Sequence, residues 1–375
     1  MLNQLSAISI CIDANQPFIL SGPPGIGKTE LIRAICKAKG LHFEEFTLAY
    51  KAPEDVCGIP RNTDKGMIYE PPAWARRLHD SDNPDLDREI RAFLFVDELT
   101  EAVPMLQATM MPVLLDGRVG EYHLGDHVGR GCAMNPSEIA TAGNSLGMPL
   151  INRVCIIPFP ADTEYWLEAM MEGFPAPKVH HAAPNWEEYL PYYKALVAGF
   201  LKAAPQKAHV MPKENLEKPF PTFRSWTKAI NILAASHHAP REVQLLLVAG
   251  LIGDGFAGEF FTYMNNTDLP NIEEVLKTGK WKFPTKNDRQ HAFLMALIYA
   301  VENNKTQERW NTAAKLIGEA GEKHADVVTF AAMKLIRMAS KADSGLKMEL
   351  PNKEVREQWN KSFAHIMTEV RKTGA

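Results

Sequence analysis

The sequence has few of the features that mark secreted, membrane-spanning or thiolate-metal proteins. It contains only five cysteines in 375 residues, an odd number, and none of them form a Cys-x-x-Cys pair. A disulfide framework or a thiolate zinc site is therefore not expected. The N-terminal segment lacks a basic stretch followed by a continuous apolar stretch, and no apolar run approaches the roughly 18 residues that span a bilayer. These absences predict a cytoplasmic protein that makes no membrane contact.

The sequence also lacks an excess of positive charge. Lys and Arg number 41 against 45 Asp and Glu, for a formal net charge of -4. A surface that binds nucleic acid over its whole extent needs concentrated Lys and Arg, so this balance disfavours such a protein, although a local basic stripe or pore stays open. The composition is otherwise that of a globular protein, and the length predicts two or three domains at roughly 100–200 residues each.

The first 160 residues alternate short apolar runs with helical patterns. This alternation predicts a doubly wound α/β fold with a parallel sheet. The predicted strands cover residues 17–21, 42–49, 92–96 and 154–157, and the predicted helices 2–12, 31–40, 73–79 and 104–115. Residues 67–69 are interpreted as a hairpin strand, and residues 119–124 and 127–132 as a hairpin that leads into the next strand.

After residue 160 the pattern becomes helical. Apolar residues at helical spacing predict helices over 164–171, 186–201, 226–235, 241–264, 290–301, 307–320, 325–339 and 353–372. The sequence therefore predicts three segments: an α/β domain over 1–160, an α-helical domain over 161–265 and a helical C-terminal extension over 266–375.

A glycine-rich motif joins the first predicted strand to the helix that follows. Residues 22–29 read GPPGIGKT and match the phosphate-loop pattern G-x-x-x-x-G-K-[ST] in full. Glycines let the backbone amides turn toward one phosphate, and the helix N-terminus adds its positive dipole end. The lysine reaches the β- and γ-phosphates of ATP, and the threonine hydroxyl is a ligand for Mg²⁺. The predicted nucleotide-binding residues are Gly22, Pro23, Pro24, Gly25, Ile26, Gly27, Lys28, Thr29 and Glu30.

Two acidic residues follow the apolar strand that ends near residue 96. Asp97 is predicted to hold Mg²⁺ together with Thr29, and Glu98 to act as the general base that polarises the attacking water. Asn135 ends the next strand, where a neutral amide can bond the γ-phosphate and the water without adding charge. Arg153 stands in Ile-Asn-Arg-Val, where the residues alone leave open an ordinary surface arginine.

Taken together, these motifs resemble the AAA+ superfamily and, more narrowly, its MoxR-type branch. The core motifs are GPPGIGKT, FLFVDELTEA, CAMNP and LINRV, in that order. Residues 54–60, 69–78 and 116–124 further resemble that branch's inserted hairpin and the hairpin ahead of its sensor asparagine. The resemblance covers roughly residues 1–265 and implies a P-loop NTPase fold, with a nucleotide-binding domain over 1–160 and an α-helical lid over 161–265.

The resemblance implies further roles. Asn135 would be the first sensor, Arg153 an arginine finger that acts in a neighbouring subunit, and Arg224 a second sensor at the start of a lid helix. It also implies a homo-oligomeric ring, usually of six subunits, that hydrolyses ATP to remodel or activate a protein client. A partner with a von Willebrand factor A domain often accompanies such a ring. The sequence has no Asp-x-Ser-x-Ser motif, so that domain is expected on another polypeptide.

Other functions stay open at this level. A nucleic-acid-associated AAA+ motor would need a basic pore or an attached binding domain, and neither is clear in the sequence. An ATP-gated scaffold with little turnover fits poorly with the complete pair Asp97-Glu98. A small-molecule P-loop kinase fits poorly with Asn135 and the long helical segments.

Overall fold

A computed structural model describes residues 2–64, 66–81, 90–136, 139, 144–172, 177, 181–213, 217–265, 272–285, 287–340 and 345–373. The chain divides into two compact units. The first unit comprises Met1–Trp186 with Ala208–Gly258, and the second comprises Glu187–Lys207 with Glu259–Ala375.

The elements follow one another in a mixed α/β order and then a purely helical one. The strands are β1 (Phe18–Ser21), β2 (His42–Thr47), β3 (Ile59–Thr63), β4 (Gly66–Glu70), β5 (Ala92–Asp97), β6 (Arg118–Val119), β7 (Tyr122–His123), β8 (Val128–Met134) and β9 (Cys155–Pro158). The helices up to the end of the α/β part are α1 (Leu2–Asp13), α2 (Lys28–Lys39), α3 (Pro53–Cys57), α4 (Ala73–Asp80), α5 (Pro104–Asp116), α6 (Met148–Ile151) and α7 (Thr163–Glu172). The later helices are α8 (Leu190–Ala203), α9 (Phe223–Ala235), α10 (Arg241–Ile252), α11 (Asp254–Asn265), α12 (Ile272–Thr278), α13 (Asn287–Asn303), α14 (Gln307–Ser340) and α15 (Lys353–Thr373).

A five-stranded parallel sheet forms the centre of the first unit. Its strand order is β2-β5-β8-β1-β9, and every pairing is parallel. Because helices cover both faces, β5 and β8 are buried along almost their whole length. The predicted P-loop α/β fold with a following helical region is therefore confirmed.

The centre of the sheet depends on small residues in β8. Phe18 of β1 and Phe93 of β5 stack with ring centroids 5.8 Å apart across that strand. A Cβ at Gly131 would lie 2.8 Å from the ring of Phe18, and one at Gly129 would lie 2.9 Å from the ring of Phe93. Glycine at both positions therefore makes room for the two rings. The parallel register brings the carboxyl ends of β1, β5 and β8 to one edge of the sheet.

One detail of the predicted strands is wrong. Residues 127–132 are not the second arm of a hairpin: Val128–Met134 is β8 itself, paired in parallel with β1 and β5. The hairpin is instead β6 with β7, where Arg118 pairs with His123. In the sequence, an apolar run near a turn fits a hairpin arm and a central strand of a parallel sheet equally well. The two differ in that both faces of the central strand are buried. The hairpin strand expected at residues 67–69 is confirmed: it is part of β4, which pairs antiparallel with β3.

Three predicted helices also differ in detail. The helix expected over 241–264 is divided into α10 and α11 at Gly253, which has φ 91°. The helices expected over 307–320 and 325–339 form one element, α14, with non-helical dihedrals at His324. The expected break therefore survives as a kink.

The second unit is helical and has its own core. Indole nitrogens of two buried tryptophans donate to helix carbonyls: Trp310 Nε1 to Leu335 O at 3.0 Å and Trp359 Nε1 to Ala314 O at 2.7 Å. α8 belongs to this unit although it precedes α9 and α10, which belong to the first. These bounds differ from the boundaries expected at 160 and 265, and the three-segment division stays a prediction. Among the described helices, none is both long and apolar enough to cross a bilayer.

Candidate active site

The loop between β1 and α2 presents its backbone to open space. Gly25 and Gly27 have φ values of 76° and 82°, in the left-handed region that favours glycine. No atom lies within 4 Å of the position that a Cβ would take at either residue. Gly27 is the N-cap of α2, and no side chain caps that end. The first amides of the helix and its positive dipole end are therefore free of side-chain capping and suited to an anion.

Lys28 lies beneath this loop and is only 8% exposed. Its Nζ donates to Gly22 O and Pro23 O, at 2.7 Å each, and to Asn135 Oδ1 at 3.1 Å. Burial lowers the pKa of Lys28, and the neighbouring Asp97 carboxylate opposes that shift. The lysine thus joins the phosphate loop to the end of β8, 107 residues later in the chain.

Thr29 and Asp97 are in direct contact. The Thr29 hydroxyl donates to Asp97 Oδ2, and the other carboxylate oxygen accepts from the Glu98 amide at 2.8 Å. Hydroxyl and carboxylate oxygens side by side are the donors that Mg²⁺ takes from proteins at phosphate sites, where waters and phosphate oxygens supply the remainder. Among the described residues, no three His, Cys, Asp or Glu side chains are arranged to hold a metal ion without such help. The donor set therefore fits magnesium bound together with a phosphate.

Glu98 has a strained backbone. Its φ is 57°, an uncommon value for a non-glycine residue that costs on the order of 1–3 kcal/mol. Burial raises the pKa of the Glu98 carboxyl, and the Asp97 and Glu101 carboxylates raise it further. A carboxyl whose pKa is raised toward neutrality is a stronger base, as general-base chemistry requires.

Asn135 is held from both sides. Its Nδ2 donates to Glu101 Oε1 at 3.4 Å, while its Oδ1 accepts from Lys28. Its backbone carbonyl accepts from the Thr100 hydroxyl at 3.0 Å. The structure therefore brings Asn135 together with Lys28, as the sequence predicts. Glu101 was missed because a carboxylate three residues after Glu98 has no signature of its own.

A cavity of about 630 Å³ adjoins the loop. Its wall is mainly apolar and aromatic, formed by Ile26 and Leu31 beside the loop and by Phe159, Tyr165 and Trp166 beyond β9. The Asp162 carboxylate caps α7 by accepting from the Tyr165 amide at 3.0 Å and so fixes the start of the helix that carries both rings. The sequence did not indicate this wall, since Trp166 reads as an ordinary core residue and becomes a site residue only where β9 ends.

A comparison with known families agrees with this geometry. Residues 18–105 match the family model described as ATPase family associated with various cellular activities (AAA). That stretch contains the phosphate loop and the acidic end of β5. The chain carries an AAA ATPase domain. It is thus a nucleotide-binding enzyme that hydrolyses ATP.

Other comparisons add little to the AAA assignment. A solved structure from Cytophaga hutchinsonii, described as a candidate ATPase, has 13% sequence identity to this chain. The similarity covers 70% of this chain and 88% of the other, with a TM-score of 0.42. No curated protein sequence matches the chain.

The two predicted arginines of this ATPase lie away from Lys28. Arg153 precedes β9, whose first residue pairs with Phe18 at the start of β1, whereas the phosphate loop follows the end of β1. Arg224 is exposed near the start of α9, and one turn later Lys228 Nζ donates to Gln16 Oε1, just before β1. Both arginines therefore lie toward the amino edge of the sheet, opposite the edge that carries Lys28.

Proposed function

We propose that this ATPase is a MoxR-like AAA+ ring that remodels or activates a protein client. The observation that carries the proposal is the convergence of Lys28, Thr29, Asp97 and Asn135 at one edge of the sheet, beside an open glycine loop. These residues lie at or just after the carboxyl ends of three strands, β1, β5 and β8, that are distant in sequence. A coincidental glycine turn would not carry a matching lysine, hydroxyl, carboxylate and amide.

Each side chain has a part in the proposed reaction. The loop amides and Lys28 bind the β- and γ-phosphates of ATP. Mg²⁺, when bound by Thr29 and Asp97, offsets negative charge on those phosphates. Glu98 accepts a proton from the attacking water, and Asn135 orients that water without adding charge. Burial, together with the nearby Asp97 and Glu101 carboxylates, raises the pKa of Glu98, which favours this step.

The cavity beyond the loop fits the base and sugar of the nucleotide. Apolar and aromatic side chains line it, and Trp166 is 53% exposed, so an aromatic ring is open to stacking. Stacking of a base on an aromatic side chain is worth about 1–3 kcal/mol. Glu30, at the edge of the same cavity, is a further predicted contact.

The position of the arginines supports a ring. Arg153 and Arg224 lie toward the sheet edge opposite Lys28, so they are better placed to meet a neighbour's nucleotide than their own. A cation supplied from a neighbour is worth roughly 10³ to 10⁵ in rate and makes hydrolysis depend on assembly. AAA domains usually form oligomeric rings, and six subunits is the number expected here.

The β3–β4 hairpin supports action on a protein client. Ile59, Met67, Ile68 and Tyr69 are exposed along it, and two-stranded hairpins are marginally stable alone. Apolar side chains on an exposed hairpin suit contact with another polypeptide. A separate protein with a von Willebrand factor A domain is the partner that the MoxR resemblance implies.

The first experiment tests the site. Lys28→Ala is expected to abolish ATP binding and turnover, because the ammonium is hydrogen-bonded to the backbone of the phosphate loop. Lys37→Ala, an exposed lysine on the same helix, serves as the matched control and is expected to leave both unchanged. Equal turnover by the two variants would show that ATP binds elsewhere.

The second experiment tests the ring and its client. The ATPase rate per subunit is expected to rise with protein concentration, and Arg153→Ala is expected to lower kcat by roughly 10³ or more. Arg118→Ala, which removes another exposed arginine of the first unit, is the control. A rate per subunit that stays constant down to the monomer would exclude an arginine that acts in a neighbouring subunit.

Glu98→Gln is expected to trap ATP, so that the client co-purifies with the trapped protein from its own cell.

A further inference from the structure

A buried hydrogen-bond network joins the turn before β9 to the start of α9. Asn152 Nδ2 donates to Phe220 O at 3.1 Å, and Asn152 Oδ1 accepts from the Thr222 hydroxyl at 2.8 Å. Asn152 is 7% exposed and Thr222 is 8% exposed. Both polar ends of the Asn152 amide are therefore engaged in a site that water barely reaches.

The same network determines where α9 begins. The Thr222 hydroxyl accepts from the Ser225 amide at 3.2 Å, and the Ser225 hydroxyl accepts from the Thr222 amide at 2.8 Å. This reciprocal arrangement is a capping box. The Ser225 hydroxyl also donates to Phe220 O at 3.0 Å, the carbonyl that Asn152 bonds. The first turn of α9 is thus tied directly to Asn152.

The two predicted arginines flank this network. Arg153 follows Asn152 in the chain, and its own side chain donates to Pro149 O at 3.1 Å. Arg224 is two residues after Thr222, on the turn that the capping box orders. Asn152 therefore connects the backbone that carries one arginine to the backbone that carries the other.

We infer that Asn152 is a positioning residue that holds Arg153 and Arg224 as one unit facing a neighbouring subunit's nucleotide. The inference rests on the proposed function, because it assumes that both arginines act in trans. Truncating Asn152 leaves the Thr222 hydroxyl and the Phe220 carbonyl without this partner, so the start of α9 is free to shift against the turn at Arg153. A displacement of about 1 Å can cost on the order of 10² in rate.

The expected signature is a loss of turnover without a loss of binding. Asn152→Ala is expected to lower kcat by about 10- to 100-fold while the affinity for a fluorescent ATP analogue stays within about twofold of the parent. Thr222→Val, which removes only the hydroxyl, is a second variant with the same expected direction. Thr222→Ser keeps both the hydroxyl and the cap, so it is the matched control and is expected to behave like the parent.

Rings assembled from two different variants distinguish a defect in the arginines offered to a neighbouring subunit from a general structural defect. Asn152→Ala subunits keep an intact phosphate loop, and Lys28→Ala subunits keep intact arginines. In an equal mixture, random placement around a ring gives about a quarter of all positions an intact loop faced by intact arginines. The mixture is therefore expected to hydrolyse ATP at about a quarter of the parent's rate, well above either variant alone.

A reference mixture of Arg153→Ala with Lys28→Ala distinguishes the outcomes. If the reference recovers activity and the Asn152→Ala mixture does not, the positioning role is overturned and the ring proposal stands. If neither mixture recovers activity, the trans action of the arginines is overturned, and the inference with it. If Asn152→Ala does not fold, the Thr222→Val mixture decides the question by the same comparison.

Discussion

Gly22→Ala should disable the phosphate loop by displacing the backbone at its first residue. A Cβ on Gly22 would lie 2.0 Å from the backbone oxygen of Phe159, whereas ordinary contacts begin near 3.4 Å. The local backbone must therefore move by more than about 1 Å to relieve the overlap. That backbone is held firmly, because Phe159 N donates to Ser21 O at 2.8 Å and Gly22 N donates to Met134 O at 3.2 Å.

The displacement would pass directly to the residues that bind phosphate. A shift of about 1 Å in a catalytic group can cost 10²-fold in rate, so kcat/KM for ATP should fall by about 10- to 100-fold. Overpacking of this kind also costs about 1–3 kcal/mol of unfolding free energy. Steady-state ATP hydrolysis and urea unfolding would measure the two effects.

Gly258→Ala is the matched control, because a Cβ there meets nothing within 4 Å. It lies inside α11, where alanine should raise the unfolding free energy by about 0.5–1 kcal/mol without changing turnover. A folded Gly22→Ala protein with the parent's kcat/KM would refute the reasoning, since it would mean that the loop tolerates the displacement.

Three further outcomes are expected. Gly321→Ala should lower the unfolding free energy by about 1–3 kcal/mol, because its Cβ would lie 2.5 Å from the Phe363 ring that packs α15 on α14; an unchanged midpoint in urea would contradict that packing. Burial raises the pKa of Cys36 to about 12, so at about pH 8 almost none of this thiol is the reactive thiolate. Iodoacetamide labelling followed by mass spectrometry should therefore show the half-buried Cys57 modified before Cys36. Equal labelling rates at the two cysteines would argue against the burial of Cys36. Removing Mg²⁺ with a chelator should stop ATP turnover. Asp97→Asn should raise the Mg²⁺ concentration needed for half-maximal turnover by at least about tenfold. If that concentration does not change, Asp97 is not a ligand of the metal.

Much of the candidate site could be predicted because its chemistry is local. The phosphate loop is eight consecutive residues, and its glycines, lysine and threonine keep their spacing whatever the rest of the chain does. Asp97 and Asn135 could be added because parallel strands place their carboxyl ends at a common edge. Only that rule was needed to expect Lys28 and Asn135 to meet across 107 residues.

The less local parts could not be predicted. Tyr165 and Trp166 line the cavity only because β9 ends beside the loop, and no spacing in the sequence encodes that neighbour. For the same reason, the sequence could not show that β8 is a central strand rather than a hairpin arm. The burial of both its faces depends on helices that come from elsewhere in the chain. α8 belongs to the second unit and the later α9 to the first, and this assignment likewise depends on which apolar faces pack together.

The sequence by itself determined the phosphate loop, the acidic end of β5 and the parallel α/β fold, because glycine spacing, apolar runs and charge are properties of short contiguous segments. Only the tertiary structure decided that Arg153 and Arg224 share the sheet edge away from Lys28 and that Asn152 joins the segments that carry them. Those relations are hydrogen bonds between residues about 70 positions apart, and such bonds exist only once packing has excluded water from around them.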